Sequence, residues 1–249
     1  MKSIERHQLK EDEFITTLHD TFTRIDEHRR QVLWAVVALV VIAGGVGGVI
    51  WWRQDVNTKA AALLADAQVV AEAPVAPPAP PATAGTATPP PAPTPGSYPT
   101  ERAKLEAALP KYLAAADAYP SSGPGLAARY AAAGTLAALG RPADAAARYQ
   151  EVIDRAGSDL YGRMARLGLA SVQARQGKYD AAIATFKELA ATSKDLPVDG
   201  ILMQLAQTYA AAGKKVEASQ TYKRVTDEFP TSAYAADARK EIESLKSGS

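Results

Sequence analysis

The dipeptides Gly140-Arg141, Gly177-Lys178 and Gly213-Lys214 recur at intervals of 37 and 36 residues, and around each glycine the same residue types return. Five residues after it stands an alanine (Ala145, Ala182, Ala218), and nine after it an aromatic ring (Tyr149, Phe186, Tyr222). A period of this size marks a solenoid, in which each unit buries its apolar face only against its neighbours. Glycine ends a helix without the Cβ penalty of a left-handed residue. The alanine lets a second helix approach closely, and the ring fills the space against the next unit. Each repeat is therefore expected to be a pair of helices, A and B, turning at the glycine. Pro142 suits the opening turn of a B helix, and Pro120 and Pro230 close helices at corresponding places in the outer copies. Ala108 and Tyr112 stand 37 residues before Ala145 and Tyr149, suggesting a fourth, degenerate copy. Within it, Pro110 is expected to end a short helix from Thr100 and begin a new one. Longer turns are expected around Gly157 and residues 193–198, and a capping helix over about residues 232–246. No alternating β-branched run competes with this pattern, so the fold class is all-α.

These residues resemble the tetratricopeptide repeat. The third copy carries Leu202, Ala206, Tyr209, Gly213, Ala218, Tyr222 and Pro230 in that motif's characteristic places. The second departs from it at Gln173, where a large apolar residue is usual, and at Lys194, where the closing proline would stand. The period is longer than the usual one of about 34 residues. The resemblance implies an α-solenoid of three to four helix pairs whose A helices line a concave groove for an extended peptide or a partner's helix. The register projects Tyr130, Met164, Leu167, Arg175, Met203 and Gln207 onto that face as protein-binding residues, the methionines supplying adaptable apolar surface. In so few repeats the same side chains serve equally well as core. The basic, Asn-rich clamp by which some family members hold a C-terminal carboxylate is not evident.

Residues 32–52, VLWAVVALVVIAGGVGGVIWW, hold no charged or amide side chain. At about 1.5 Å per residue they reach about 30 Å, the thickness of a bilayer's hydrocarbon core. Trp34 near one end and Trp51-Trp52 at the other suit the headgroup level. The run is longer than a signal peptide's apolar core, and bulky residues follow it, so an uncleaved signal-anchor is expected. Arg24, Arg29 and Arg30 on one side against Arg53 and Lys59 on the other place the N-terminus in the cytoplasm. Within the span, Gly44 and Gly48 form GxxxG, either a surface on which another helix packs closely and through which the chain would oligomerise, or small residues that a membrane helix simply tolerates.

The expected organisation is a cytoplasmic segment at 1–31, a membrane helix at 32–52, a helical extension at 53–72, a Pro/Ala-rich linker at 73–99 and the repeat domain at 100–249. Phe14, Leu18, Phe22 and Ile25 make a helical stripe in the first segment, expected to lie on the inner leaflet or to dock a partner. The linker, with Pro77-Pro78, Pro80-Pro81 and Pro89-Pro90-Pro91, is expected to be an extended polyproline-type spacer.

Composition removes several functions. There is no cysteine, so disulfides, thiolate metal sites and cysteine nucleophiles are excluded, and a cysteine-linked lipoprotein anchor is not expected. All three histidines (His7, His19, His28) precede the span and lack a metal-ligand spacing, which leaves the repeat domain without the commonest proton-transfer and metal-binding side chain. Neither a cofactor nor a metal is expected. Its acids, such as Asp144, Glu188 and Glu217, lie scattered, so an enzyme is not expected. From residue 100 onward 20 basic residues face 17 acidic ones, too balanced for nucleic acid.

The order of parts is similar to that of the YfgM-like family of ancillary SecYEG translocon subunits: a short N-terminus, one membrane helix and a tetratricopeptide-like domain. Pro110-Lys111-Tyr112 and the alanine-rich residues 126–139 are similar to the start of that family's domain, whose compact form the long Pro-rich linker departs from. What this resemblance implies is a non-enzymatic protein of the bacterial inner membrane with a periplasmic repeat domain, whose partners are translocon subunits, periplasmic chaperones or exported chains. The ending FPTSAYAADARKEI is similar to that of repeat domains serving outer-membrane assembly or coordinating wall synthesis with constriction, which makes an envelope scaffold the alternative.

Overall fold

The computed structural model describes residues 29–76, 96–193 and 195–247, and every regular element among them is helical. In chain order these are α1 (Arg29–Ala71), α2 (Glu101–Ala118), α3 (Gly123–Ala138), α4 (Pro142–Ala156), α5 (Leu160–Arg175), α6 (Tyr179–Thr192), α7 (Val198–Ala211), α8 (Lys215–Glu228) and α9 (Ala235–Ser247). The stripe of Phe14, Leu18, Phe22 and Ile25 lies outside the described residues, as does the linker between 77 and 95. By contact the chain divides into two compact units, Met1–Asp55 and Val56–Ser249.

In the first unit the described residues belong to α1. The large apolar side chains it carries there are exposed, Trp34 and Trp51 to 69% and 70%. This helix is long and apolar enough to cross a membrane, with a mean hydropathy of 2.5 over its most apolar stretch and none of that stretch buried.

The second unit is a solenoid of helix pairs. Each expected turn glycine adopts the same left-handed conformation, with φ of 75° at Gly140, 76° at Gly177 and 75° at Gly213. In each the following N–H reaches back five residues: Arg141 to the Leu136 carbonyl, Lys178 to Gln173 and Lys214 to Tyr209, all at 2.9 Å. The glycine N–H itself bonds three residues back, at 3.0 to 3.2 Å. This is the Schellman arrangement, which satisfies carbonyls that a helix end otherwise leaves open. Pro142 opens α4 as its first residue. Thr100 and Ser122 cap α2 and α3, their hydroxyls accepting from the N–H groups of Ala103 and Gly125 at 3.1 and 3.0 Å.

The B helices α4, α6 and α8 bury the residues the repeat singles out. Ala145, Ala182 and Ala218 are fully buried, and Tyr149, Phe186 and Tyr222 no more than 6% exposed. Successive A helices, α3 with α5 and α5 with α7, also touch, which puts the A helices on the inner face of the solenoid. Helix α9 packs on α8 and places Ala238, Ile242 and Leu245 in or against the last apolar cluster.

The degenerate fourth copy is built differently from the expected short helix and restart. Helix α2 runs unbroken through Pro110. Pro110 is exposed, so the carbonyl that loses its partner four residues back is on the wet side. Buried Ala108 and Leu109 before the proline, and Tyr112, Ala115 and Ala116 after it, hold both halves on one face. Ala108 and Tyr112 make α2 the B helix. The helix preceding it is the end of α1: Ala67 is fully buried in the cluster that holds Ala108, Leu109 and Tyr112, and Leu64, Val70 and Ala71 pack against that cluster. Lys111 Nζ reaches Asp66 Oδ2 at 2.9 Å alongside. Residues 56–71 are rich in helix-favouring alanine and leucine, and the helix stops before Pro74. Between α1 and α2, the Ala76 N–H donates to the Tyr98 carbonyl at 2.8 Å and the Tyr98 N–H to the Pro74 carbonyl at 2.9 Å. The two ends of the Pro-rich stretch are thereby joined.

Candidate functional site

Along the inner face, consecutive interfaces between A helices are filled in different ways. Between α3 and α5 the ring of Tyr149 comes forward from α4 and packs edge-on against Tyr130, with centroids 5.6 Å apart and planes at 60°. Two glycines make this possible. A Cβ on Gly168 would stand 2.5 Å from the ring, and one on Gly134 would lie 3.6 Å from its hydroxyl. Burial pushes the Tyr149 hydroxyl up to about 12, with Tyr130 adding to the rise and Arg175 opposing it. This interface is packed with side chains.

One repeat further on, Phe186 replaces Tyr149, Ser171 stands at the place of Gly134 and Gln204 at that of Gly168. The interface between α5 and α7 then opens into a cavity of about 350 Å³. Phe186, Tyr179, Ala174 and Ala211 supply its apolar wall, and Ser171, Gln204, Gln207, Thr208 and Arg175 its polar one. The Ser171 hydroxyl bonds the Leu167 carbonyl at 2.9 Å and also contacts the Gln204 side-chain amide. Thr208 bonds the Gln204 carbonyl at 2.7 Å. Helix α5 carries three arginines, of which Arg163 pairs with Asp195 at 2.5 Å and Arg166 with Glu188 at 3.6 Å. Arg175 is exposed, and its hydrogen bond runs to the Ala137 carbonyl at 3.3 Å. No group of His, Asp or Glu among the described residues is arranged to hold a metal ion.

Residues 173–242 match the family model described as tetratricopeptide repeat. Over that stretch the helix pairs are tetratricopeptide repeats. No curated protein matches it significantly. Among solved structures, a variant of a Podosopora anserina chain named as a kinesin light chain with nearly identical TPR-like repeats is 16% identical, with a TM-score of 0.47 over 58% of this chain and 84% of that one. YrrB, described as a TPR protein with an unusual peptide-binding site, is 18% identical, with a TM-score of 0.40 over 55% of this chain and 84% of its own.

Of the residues projected onto the inner face, the tetratricopeptide repeats bring Arg175 and Gln207 together in the cavity. Leu167 and Met164 are partly buried against the core of the last repeats, and Tyr130 against that of the first ones. Met203 belongs to the core itself, 6% exposed. An A helix is sandwiched between its own B helix and the next repeat, so both of its flanks are apolar and helical period alone does not tell inner face from core. The projection missed Ser171, Tyr179, Gln204 and Thr208, although Ser171 and Gln204 were visible as polar residues at positions that hold glycine one repeat earlier. Gly44 and Gly48 lie on α1 in the other compact unit, and among the described residues a Cβ on either would meet nothing within 4 Å.

Proposed function

We propose that this protein is a non-enzymatic, membrane-anchored interaction scaffold of the bacterial envelope, with α1 crossing the inner membrane through residues 32–52 and the repeats on the periplasmic side. Its partners on this reading are translocon subunits and the chaperones or exported chains beside them, and a protein segment lies along the inner face of α3, α5 and α7. The observation that carries the reading is the cavity between α5 and α7, a partly polar recess on the face that such repeats present to other proteins. The exposed apolar stretch of α1 supports the anchor.

Photo-crosslinking in cells tests it, with probes at Gln207 and Leu167 on the inner face and at Gly44 in the span. Translocon subunits crosslinked from Gly44, with chaperones or exported chains from Gln207, are the expected adducts. Outer-membrane assembly or wall-synthesis proteins at the same probes would replace the translocon role by the envelope-scaffold role. An absence of adducts from both inner-face probes would remove the groove as a binding surface.

A further inference from the structure

We propose that the cavity between α5 and α7 receives an acidic side chain, Asp or Glu, from an extended segment of the bound protein, with Arg175 as its counter-ion. The assignment rests on the reading of the inner face as a protein-binding groove and adds to it the chemistry of what binds.

The argument is one of charge complementarity within a single helix. Arg163 and Arg166 each have a carboxylate from the following part of the chain, Asp195 and Glu188. Arg175, the third arginine of α5, borders the cavity, and no acid is among the residues that line it. A guanidinium offers five N–H donors in a planar fork that matches a carboxylate. The bond to the Ala137 carbonyl at 3.3 Å occupies one of them. Around the arginine stand neutral hydrogen-bonding groups, Gln204, Gln207, Ser171 and Thr208, and an apolar wall of Phe186, Ala174 and Ala211. This is the environment of a carboxylate on a short apolar stem: methylenes against the wall, oxygens at the guanidinium and the amides. A lysine or arginine of a partner would meet like charge and no acceptor stronger than an amide. The same interface one repeat earlier is closed by Tyr149 between Gly134 and Gly168, so the recess is particular to this pair of repeats. The inner face continues past it to Leu167 and Tyr130, both partly exposed, so a chain lying there runs on beyond the cavity and presents a side chain to it rather than its terminus.

The test uses the full-length protein in lipid nanodiscs and a display library of random dodecapeptides. Peptides enriched on the native protein are expected to share an aligned Asp or Glu. Synthetic, C-terminally amidated copies should lose about tenfold or more in affinity when that residue becomes Gln or Asn, and the loss should shrink as salt rises. In Arg175→Gln the acidic and amide peptides should bind alike, at about the affinity the native protein shows for the amide form. The assignment is overturned if enriched peptides show no acid, if acid and amide forms bind the native protein equally, if Arg175→Gln still discriminates, if binding requires a free C-terminus, or if nothing is enriched. Adducts at Gln207 in cells together with any of these results would leave the groove reading standing and remove only the acidic specificity.

Discussion

Arg129 on α3 ion-pairs with Glu151 on α4, 22 residues later. Arg166 on α5 and Glu188 on α6 repeat the same separation and the same pairing one repeat further on, more loosely at 3.6 Å. The first pair is the buried one: the Arg129 side chain is 4% exposed and also donates to the Ala116 carbonyl and to Asp117, both at 3.0 Å. Arg148 bonds Glu151 from within α4 at 2.9 Å. An A helix and its own B helix are thus tied by charge as well as by alanine and aromatic packing.

That network makes stability depend on pH in a predictable direction. Burial alone raises the Glu151 carboxyl, but the hydrogen bonds and charges of Arg129 and Arg148 outweigh it and hold the group below its ordinary value of 4.5. A lowered folded value means that the stabilisation is complete above 4.5 and is lost as pH falls through the lower value. Glu151→Gln should be about 1–2 kcal/mol less stable at neutral pH, a fall in Tm of about 3–6 °C for a unit of this size. Thermal unfolding followed by circular dichroism from about pH 7 to about pH 3 should show the deficit narrowing as the native protein loses the interaction. A deficit that stays constant would mean that Glu151 acts by packing and not by charge.

Gly168→Ala places a methyl 2.5 Å from the Tyr149 ring, closer than two carbons can stand. The same ring also packs edge-on against Tyr130, at 5.6 Å between centroids. Overpacking of this kind costs about 1–3 kcal/mol, and the better helix propensity of alanine returns about 1 kcal/mol. The net loss, read from denaturant unfolding, should disappear when Gly168→Ala is made in a Tyr149→Leu chain and compared with Tyr149→Leu alone. If Gly168→Ala costs as much in the Tyr149→Leu chain as in the native one, the clash is not the cause.

A chain starting at Val56 should be more stable than one starting at Thr100. The shorter chain lacks the helix that covers Ala108, Leu109 and Tyr112, and loses the burial of Ala67, Leu64, Val70 and Ala71. Uncovering an apolar contact of this size costs about 2–3 kcal/mol, which lowers Tm by about 5–10 °C. Breaking only the exposed Lys111–Asp66 pair should cost about 0.5 kcal/mol or less. Equal Tm values for the two chains would show that the end of α1 is not part of the folded unit.

Replacing Gly44 and Gly48 by leucine removes the small surface on which a second helix would pack. Among the described residues none lies against either glycine, so the folded unit that begins at Val56 should keep its Tm. Self-association through the span, read by sedimentation equilibrium in detergent, should weaken about tenfold or more. Unchanged association would exclude these glycines as a helix contact.

The repeats were legible in the sequence because glycine, alanine and the aromatic ring each serve a backbone or packing need that recurs at the same place. Three turn glycines with φ within a degree of one another are the structural form of that regularity. The first A helix was hidden for a different reason. A composition break at the prolines reads as a domain boundary, whereas the last turns of α1, ahead of that break, pack with the repeats beyond it. Pro110 misled because an exposed carbonyl tolerates a missing donor. The cavity was partly legible: Arg175 and Gln207 were placed on the inner face by register. What sets this interface apart from the preceding one, however, is a group of differences between repeats, Phe186 for Tyr149, Ser171 for Gly134 and Gln204 for Gly168, rather than a pattern shared by them.

The pair of hydrogen bonds that joins Pro74 and Ala76 to Tyr98 fixes the ends of an insertion, not its contents. Helices α1 and α2 keep their places whatever the number of residues between the two ends, since each doubling of a closed loop adds only about 0.6 kcal/mol of closure cost. Related chains can therefore gain or lose prolines there without repacking a single helix. For the same reason this stretch is the natural place to insert a reporter domain or an affinity tag while the repeats stay folded.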